Sequence, residues 1–284
     1  MKPVVFIISV LLLVVCLELY ISSNHIQITH LSVPVSNCPD AFEGFKIVHL
    51  SDLHSKRFGR ENARLIGRIF ELEPDIVVMT GDMVNRTDKD FGVFLNLAAA
   101  LAKTYPVYYV TGNHELGLNI KALTEIKAQL KSFGVCVLDN EQAVIRKGRD
   151  AITLYGCALP LEFYREMKSR HNREHDFDII KDALGDFDDY GVNILLAHHP
   201  RYFEIYSDWG AALTLSGHLH GGMIRLPFIG AVFSPDIELF PNYGGGLYTN
   251  RQSHMVVNRG LGRGTAGFRL FNRPEISVIT LHGI

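Results

Sequence analysis

Five short polar motifs in this chain each follow an apolar run, and their donor atoms are those of a metal centre. In order they read Asp52-Leu53-His54, Gly81-Asp82, Gly112-Asn113-His114-Glu115, His198-His199-Pro200 and Gly217-His218-Leu219-His220. The runs before them are Lys46 to Leu50, Ile76 to Met79, Val107 to Val110, Asn193 to Ala197 and Ala212 to Leu215, and each reads as a short buried strand. Ending central strands on Asp, Asn and His costs several kcal/mol for every desolvated polar group left without a partner. Divalent cations offset that cost. Carboxylate, imidazole and amide donors with no cysteine among them suit the borderline-to-hard ions Mn2+, Fe and Zn2+. In an open sheet such residues converge on the crevice at the carboxyl ends of the strands, where these sheets bind ligands.

The elements that must position them are readable from periodicity. After Phe45 strand and helix alternate: strand to Leu50, helix near Asn62 to Leu72, strand Ile76 to Thr80, helix near Phe91 to Lys103, strand Val107 to Thr111, helix near Ile120 to Phe133. That rhythm predicts an α/β layered domain. The second half is richer in strands, with runs Ala143 to Arg146, Ile152 to Gly156, Asn193 to Ala197, Ala212 to Ser216, Met255 to Asn258 and Ile276 to Leu281. These predict a second sheet packed on the first. Between Leu161 and Tyr190 a charged stretch with Arg165, Arg170, His171, Arg173 and His175 reads as a helical insertion or lid. Ser22 to Gly44 reads as a linker followed by an edge strand.

Composition narrows the partners. Lys plus Arg number 28 against 30 Asp plus Glu, so no basic surplus exists to neutralise a nucleic-acid backbone. None of the four cysteines forms a C-x-x-C pair, which removes zinc ribbons and thioredoxin-like sites. Cys136 and Cys157 read as buried small hydrophobes, with a disulfide between neighbouring strands as the lesser reading. Val4 to Ile21 is apolar except for Ser9 and Glu18, close to the length that crosses a bilayer as a helix. A cleavable signal peptide is the rival, but no small-x-small site follows. Lys2 precedes the span and no Lys or Arg follows until Lys46, which favours a cytoplasmic N-terminus and an exported domain.

The five motifs in this order resemble the calcineurin-like metallophosphoesterase superfamily, from about Phe45 to the end of the chain. The run Val257-Asn258-Arg259-Gly260-Leu261-Gly262, with Arg269-Leu270-Phe271-Asn272-Arg273-Pro274-Glu275, is similar to a membrane-associated bacterial branch, some members of which are linked to lipid or cell-envelope substrates. The resemblance implies a four-layer α-β-β-α sandwich of two mixed sheets and a two-metal site with a metal-bridging hydroxide. Carried over by position, Asp52, His54 and His220 bind one ion and Asn113, His198 and His218 the other. Asp82 bridges them, and His114 faces the substrate phosphate. His199 is left in a supporting role. Glu115 either orients His114 or makes a surface ion pair, while Arg57 and Arg60 either reach a phosphate or sit in a solvated loop.

These readings give residues 1–22 as a membrane anchor, 23–44 as linker and edge strand, and 45–284 as the phosphoesterase domain. The expected function is metal-dependent hydrolysis of a phosphoric ester, by a phosphodiesterase or phosphatase. An envelope or lipid-linked phosphate such as a UDP-diacylglucosamine-type pyrophosphate is the expected substrate. The apolar stretch Met223 to Tyr248 is read either as a lipid contact or as a hairpin completing the second sheet. A membrane-tethered binding or scaffold protein on the same fold is the alternative, since fold alone does not establish activity.

Overall fold

A computed structural model describes residues 2–164, 173–187, 191–222, 224–226, 228–234, 238–264 and 267–284. The elements of the first half are α1 (Lys2–Asn24), β1 (Gln27–Val35), β2 (Lys46–Leu50), α2 (Ala63–Leu72), β3 (Ile76–Thr80), α3 (Gly92–Ala102), β4 (Val107–Val110), α4 (Asn113–Leu116), α5 (Ile120–Ser132) and β5 (Cys136–Val137). Then come β6 (Gln142–Lys147), β7 (Asp150–Cys157), α6 (Arg173–Leu184), β8 (Val192–Ala197), α7 (Phe203–Trp209), β9 (Leu213–Ser216), β10 (Ile224–Leu226), β11 (Gly230–Phe233), β12 (Gly246–Asn250), β13 (Ser253–Val257) and β14 (Glu275–Gly283).

Strands β2, β3 and β4 are apolar on both faces, so a layer must cover each face. Alternation along them sends Val48, Leu50, Val77, Met79 and Tyr109 outward against Leu65, Ile69, Phe94, Leu101 and Ile126 of α2, α3 and α5. Ile47, Ile76, Val78 and Val110 point the other way and meet Leu154, Ile194, Leu196, Leu215 and Val256 of a second sheet. The far face of that sheet, with Tyr155, Leu195 and Ala197, is covered by Ile180 of α6 and by Tyr206 and Trp209 of α7. The result is the four-layer α-β-β-α sandwich of two mixed sheets.

The first sheet runs β1-β14-β2-β3-β4-β5 and the second β12-β13-β9-β8-β7-β6. Because β2, β3 and β4 are parallel, and β8 and β9 are parallel, each group delivers its motifs at one common end. One expectation is corrected. Ile276 to Leu281, expected among the strands of the second sheet, forms β14 of the first, parallel to β1 and antiparallel to β2. Its alternation specifies a half-buried strand but not a partner, and the register is set by contacts with residues far away in the chain.

The stretch Met223 to Tyr248 does not simply complete the second sheet. β10 and β11 form a separate two-stranded ribbon, and among the described residues of the stretch only β12 joins the sheet, at its edge. Helix α6 belongs to the outer helical layer against β7 and α7. Arg165, Arg170 and His171 of the charged stretch lie outside the described residues. Cys136 stands on β5 of the first sheet and Cys157 on β7 of the second, and both are free thiols. Helix α1 is long and apolar enough to cross a membrane, with a mean hydropathy of 3.0 over its most apolar window.

Gly156 of β7 packs against the segment that follows β5, where a Cβ would lie 1.8 Å from the Leu138 carbonyl oxygen. That contact is with backbone held by the Asn140 N–H to Gly156 O and Gly156 N–H to Glu141 O bonds, each 3.0 Å. Gly156→Ala is therefore expected to destabilise the fold by about 1–3 kcal/mol, the usual cost of overpacking. Urea denaturation of the detergent-solubilised chain checks this; an unchanged midpoint would refute the close approach.

Candidate metal centre

Each motif sits in the turn that ends its strand. Asp52, His54, Asp82, His218 and His220 all adopt positive φ, between 48° and 69°. That conformation turns the side chain back across the strand end, and Asp and His tolerate it better than bulkier residues. Two glycines allow the turns to interlock. A Cβ on Gly112 would stand 2.4 Å from the Asp82 nitrogen, and one on Gly217 would stand 1.9 Å from Ser51 Oγ and 2.4 Å from Asp52 Oδ2.

The turns bring the motifs together. Asp52, His54 and His220 each offer a donor atom within 4.8 Å of the others, as do His54, Asp82 and His114, and Asp82, His198 and His218. All are buried. His54 Nε2 lies 3.0 Å from His220 Nε2, and His198 Nε2 lies 3.2 Å from Asp82 Oδ2 and 3.9 Å from Asp52 Oδ1. Asn113 opens α4 directly after Gly112, which packs against Asp82. The structure thus gathers Asp52, His54, Asp82, Asn113, His114, His198, His218 and His220 at one end of the sandwich.

Hydrogen bonds fix which atoms face inward. His54 Nδ1 donates to Asn85 Oδ1 at 2.9 Å, and His198 Nδ1 donates to the Thr80 carbonyl, so each turns Nε2 toward the carboxylates. Asp82 Oδ1 accepts the His114 N–H at 2.7 Å, and Asp52 accepts the His218 N–H at 3.1 Å. Burial depresses the basicity of His198, but the charge and hydrogen bond of Asp82, with Asp52 and the Thr80 carbonyl, push it up to about 10. Burial likewise raises Asp82, and His198, followed by His54 and His114, holds it well below the usual carboxylate range. Two buried carboxylates among these imidazoles give the pocket donors for positive charge.

The donor set fits divalent cations. Asn113 Oδ1 is buried without a hydrogen-bond partner, an expensive arrangement unless it is a ligand. Carboxylate, imidazole and amide donors of this kind are those that Mn2+, Fe and Zn2+ accept. The model of the calcineurin-like phosphoesterase family matches residues 45–222. The chain belongs to that family. It is 31% identical over 268 residues to the uncharacterized metallophosphoesterase YkuE of Bacillus subtilis (strain 168), covering 92% of this chain and 87% of the relative. Phosphodiesterase YaeI of Escherichia coli (strain K12) is 29% identical, with 84% and 82% covered. A transmembrane protein with metallophosphoesterase domain from Danio rerio is 29% identical over 90% of this chain and 57% of its own length. The chain is a metallophosphoesterase with a buried His and Asp metal-binding site.

Several residues of this phosphoesterase take places that the motifs did not reveal. Glu115 is fully buried and makes no surface ion pair; its carboxylate accepts the N–H groups of Asp82 (2.9 Å), Met83 (2.6 Å), Val84 (3.2 Å) and Gly112 (3.1 Å). It therefore locks the turns after β3 and β4 together instead of orienting His114. His199 backs His218, its ring centroid 4.3 Å away, and accepts the Arg201 N–H. Arg57 and Arg60 line a separate hollow beside Asp90 and Asn96.

Tyr164 carried no sequence signal at all. Its ring stacks on His199 at 5.3 Å and meets His218 at 5.4 Å and His198 at 5.9 Å, while its buried hydroxyl has no hydrogen-bond partner. Arg269 is also buried; its guanidinium donates to the carbonyls of Gly262, Asn272 and Arg259, and it tightens the loop behind Asp52. Gly217→Ala is expected to displace Asp52 and lower the metal bound per chain, as read by elemental analysis of the purified protein. Unaltered metal content would show that the turn yields. Tyr164→Phe deletes a buried hydroxyl that lacks a partner, so melting should be unchanged or higher. A fall in melting temperature would reveal a structural bond to that hydroxyl.

Proposed function

We propose that two divalent cations sit side by side in this pocket and that the chain uses them to hydrolyse a phosphoric ester or pyrophosphate bond. The observation that carries this is the overlap of the three donor groups: His54 belongs to two of them and Asp82 to two, so the sites are contiguous. In this reading Asp52, His54 and His220 hold one ion, Asn113, His198 and His218 hold the other, and Asp82 lies between them. Bound cations of this kind supply an activated water near neutral pH and neutralise the charge that builds on phosphate oxygens. Mn2+, Fe and Zn2+ are the ions that these donors accept.

His114 acts on the substrate. Its Nδ1 accepts the Arg86 N–H at 3.3 Å, which leaves the proton on Nε2. Burial pulls its basicity down to about 4 against the opposing charge of Asp82, so the ring is neutral at pH 7. A neutral N–H fixed beside Asp82 and His54 donates to a phosphate oxygen as negative charge develops there. The His114 N–H bond to Asp82 Oδ1 and the Arg86 N–H on its ring keep that donor in place, which spares reorganisation during the reaction.

The finer reading places residues 1–22 as a bilayer anchor, 23–44 as the link and edge strand, and 45–284 as the catalytic domain outside the cytoplasm. The substrate is an envelope or lipid-linked phosphate, of which a UDP-diacylglucosamine-type pyrophosphate is an example. Support comes from the apolar α1 and from the names of two relatives, a phosphodiesterase and a transmembrane protein.

The test uses the full chain in detergent with Mn2+ on monoester and diester nitrophenyl phosphates. Asp82→Asn is expected to abolish turnover, and His114→Ala to lower kcat by about 10²–10³-fold while metal content stays at the wild-type level. Activity that survives Asp82→Asn would overturn the two-ion reading. Loss of metal in His114→Ala would make that residue a ligand instead.

A further inference from the structure

The end of α1 does not hang free from the domain. Ser22 and Ser23 are buried, and Ser22 Oγ donates to Glu18 Oε1 at 2.6 Å while accepting the Asn272 N–H at 3.1 Å. Lys56 Nζ donates to the Ser23 carbonyl and, at 3.0 Å, to the Leu261 carbonyl. The same Asn272 donates through Nδ2 to the carbonyls of His220 and Gly222. One asparagine thus links the last turn of the apolar helix to the loop that carries His218 and His220.

The β10–β11 ribbon leaves directly from that loop. Arg225, on β10, donates to the Gly221 carbonyl at 2.9 Å and to the Gly244 carbonyl at 2.7 Å, which fastens the ribbon to it. At the ribbon's turn Phe228 is fully exposed and Ile229 is 61% exposed, and Phe271 beside them is 46% exposed. Phe228 also holds φ at 67°, a conformation that an aromatic residue rarely adopts. These three residues, with Arg225, Arg273 and Glu18, line one hollow of about 560 Å3.

Glu18 gives the depth of that hollow. Counting from Pro3 at about 1.5 Å per residue, a helix covers the roughly 30 Å hydrocarbon thickness at about residue 22, so Glu18 stands within one to two turns of its end. Side chains that share a hollow with Glu18 therefore lie within about 6 Å of the bilayer boundary when α1 spans it. Apolar side chains at that level go into the acyl region, and the exposed guanidinium of Arg273 stays among the headgroups.

We propose that the turn of the β10–β11 ribbon, with Phe228 and Ile229, and the neighbouring Phe271 form a second membrane contact that holds the metal loop against the bilayer surface. Its occupant is lipid, argued from the continuity of this patch with the helix beside it. The inference rests on the anchor reading of α1; its bearing on substrate rests on the phosphoesterase reading, under which the cations would meet phosphates presented at the membrane surface.

The experiment reconstitutes the full chain in vesicles of phosphatidylcholine and phosphatidylglycerol with or without bromine on the acyl chains. Trp209 is the sole tryptophan and is buried between α7 and the second sheet, so it provides the unquenched background. Phe228→Trp and Phe271→Trp add reporters at exposed positions. Emission from either reporter is expected to fall severalfold more in brominated than in plain vesicles, with Trp209 alone unaffected. Vesicle-bound protein in which neither reporter is quenched would overturn the proposal, as would a chain released from the membrane with α1 removed. Quenching reads no catalysis, so inactivity toward nitrophenyl esters would reject the phosphoesterase reading without touching this one.

Discussion

The structure depends on holding carboxylates and imidazoles together in a largely buried space. Asp52 and Asp82 are both buried, within reach of His54, His198, His218 and His220, and little aqueous dielectric dilutes their repulsions and attractions. The backbone shares the cost. Five of these residues lie in the left-handed region, each at about 1 kcal/mol, so their sum is a substantial part of a domain's net stability. An arrangement this unfavourable persists only where the surrounding fold over-determines it and where bound cations return the energy.

That over-determination is visible in where backbone donors go. Glu115 collects four N–H groups from the turns after β3 and β4, and the carboxylates of Asp52 and Asp82 each accept a backbone N–H from a turn of another motif. The C-terminal loop works from behind, with Asn258 Nδ2 donating to the His49 carbonyl and Arg269 tying three carbonyls together. Glycine at 112 and 217 removes the side chains that would keep these turns apart. The geometry is thus set by packing and backbone bonds before any ion arrives, which is what preorganisation for charge stabilisation requires.

The same economy of connection extends outward. Asn272 joins the His220 turn, the base of the β10–β11 ribbon and the end of α1, which lie 50 to 250 residues from it in the chain. A rigid link of this kind fixes the orientation of the pocket relative to the apolar helix, whereas a flexible linker would leave it free to rotate. β14 adds to the stiffness by pairing with β1 in parallel over nine residues, so the segment after α1 is part of the first sheet.

Read alone, the amino-acid sequence determined the donor chemistry and the strand ends that present it, because both are local. Polar motifs immediately after apolar runs place Asp52, Asp82, Asn113, His198 and His218 at the ends of strands whatever the order of those strands. Periodicity likewise specified the α/β layering and the length of α1. Only the tertiary structure decided which strands are neighbours, and so it moved β14 to the first sheet and separated Cys136 from Cys157. It also gave Glu115 four backbone donors, set Tyr164 against three histidines, and joined Asn272 to Ser22. None of these has a periodic or motif signature, since each depends on residues distant in the chain meeting at one point. Alternation encodes which face of a strand is buried; long-range contact chooses what that face is buried against.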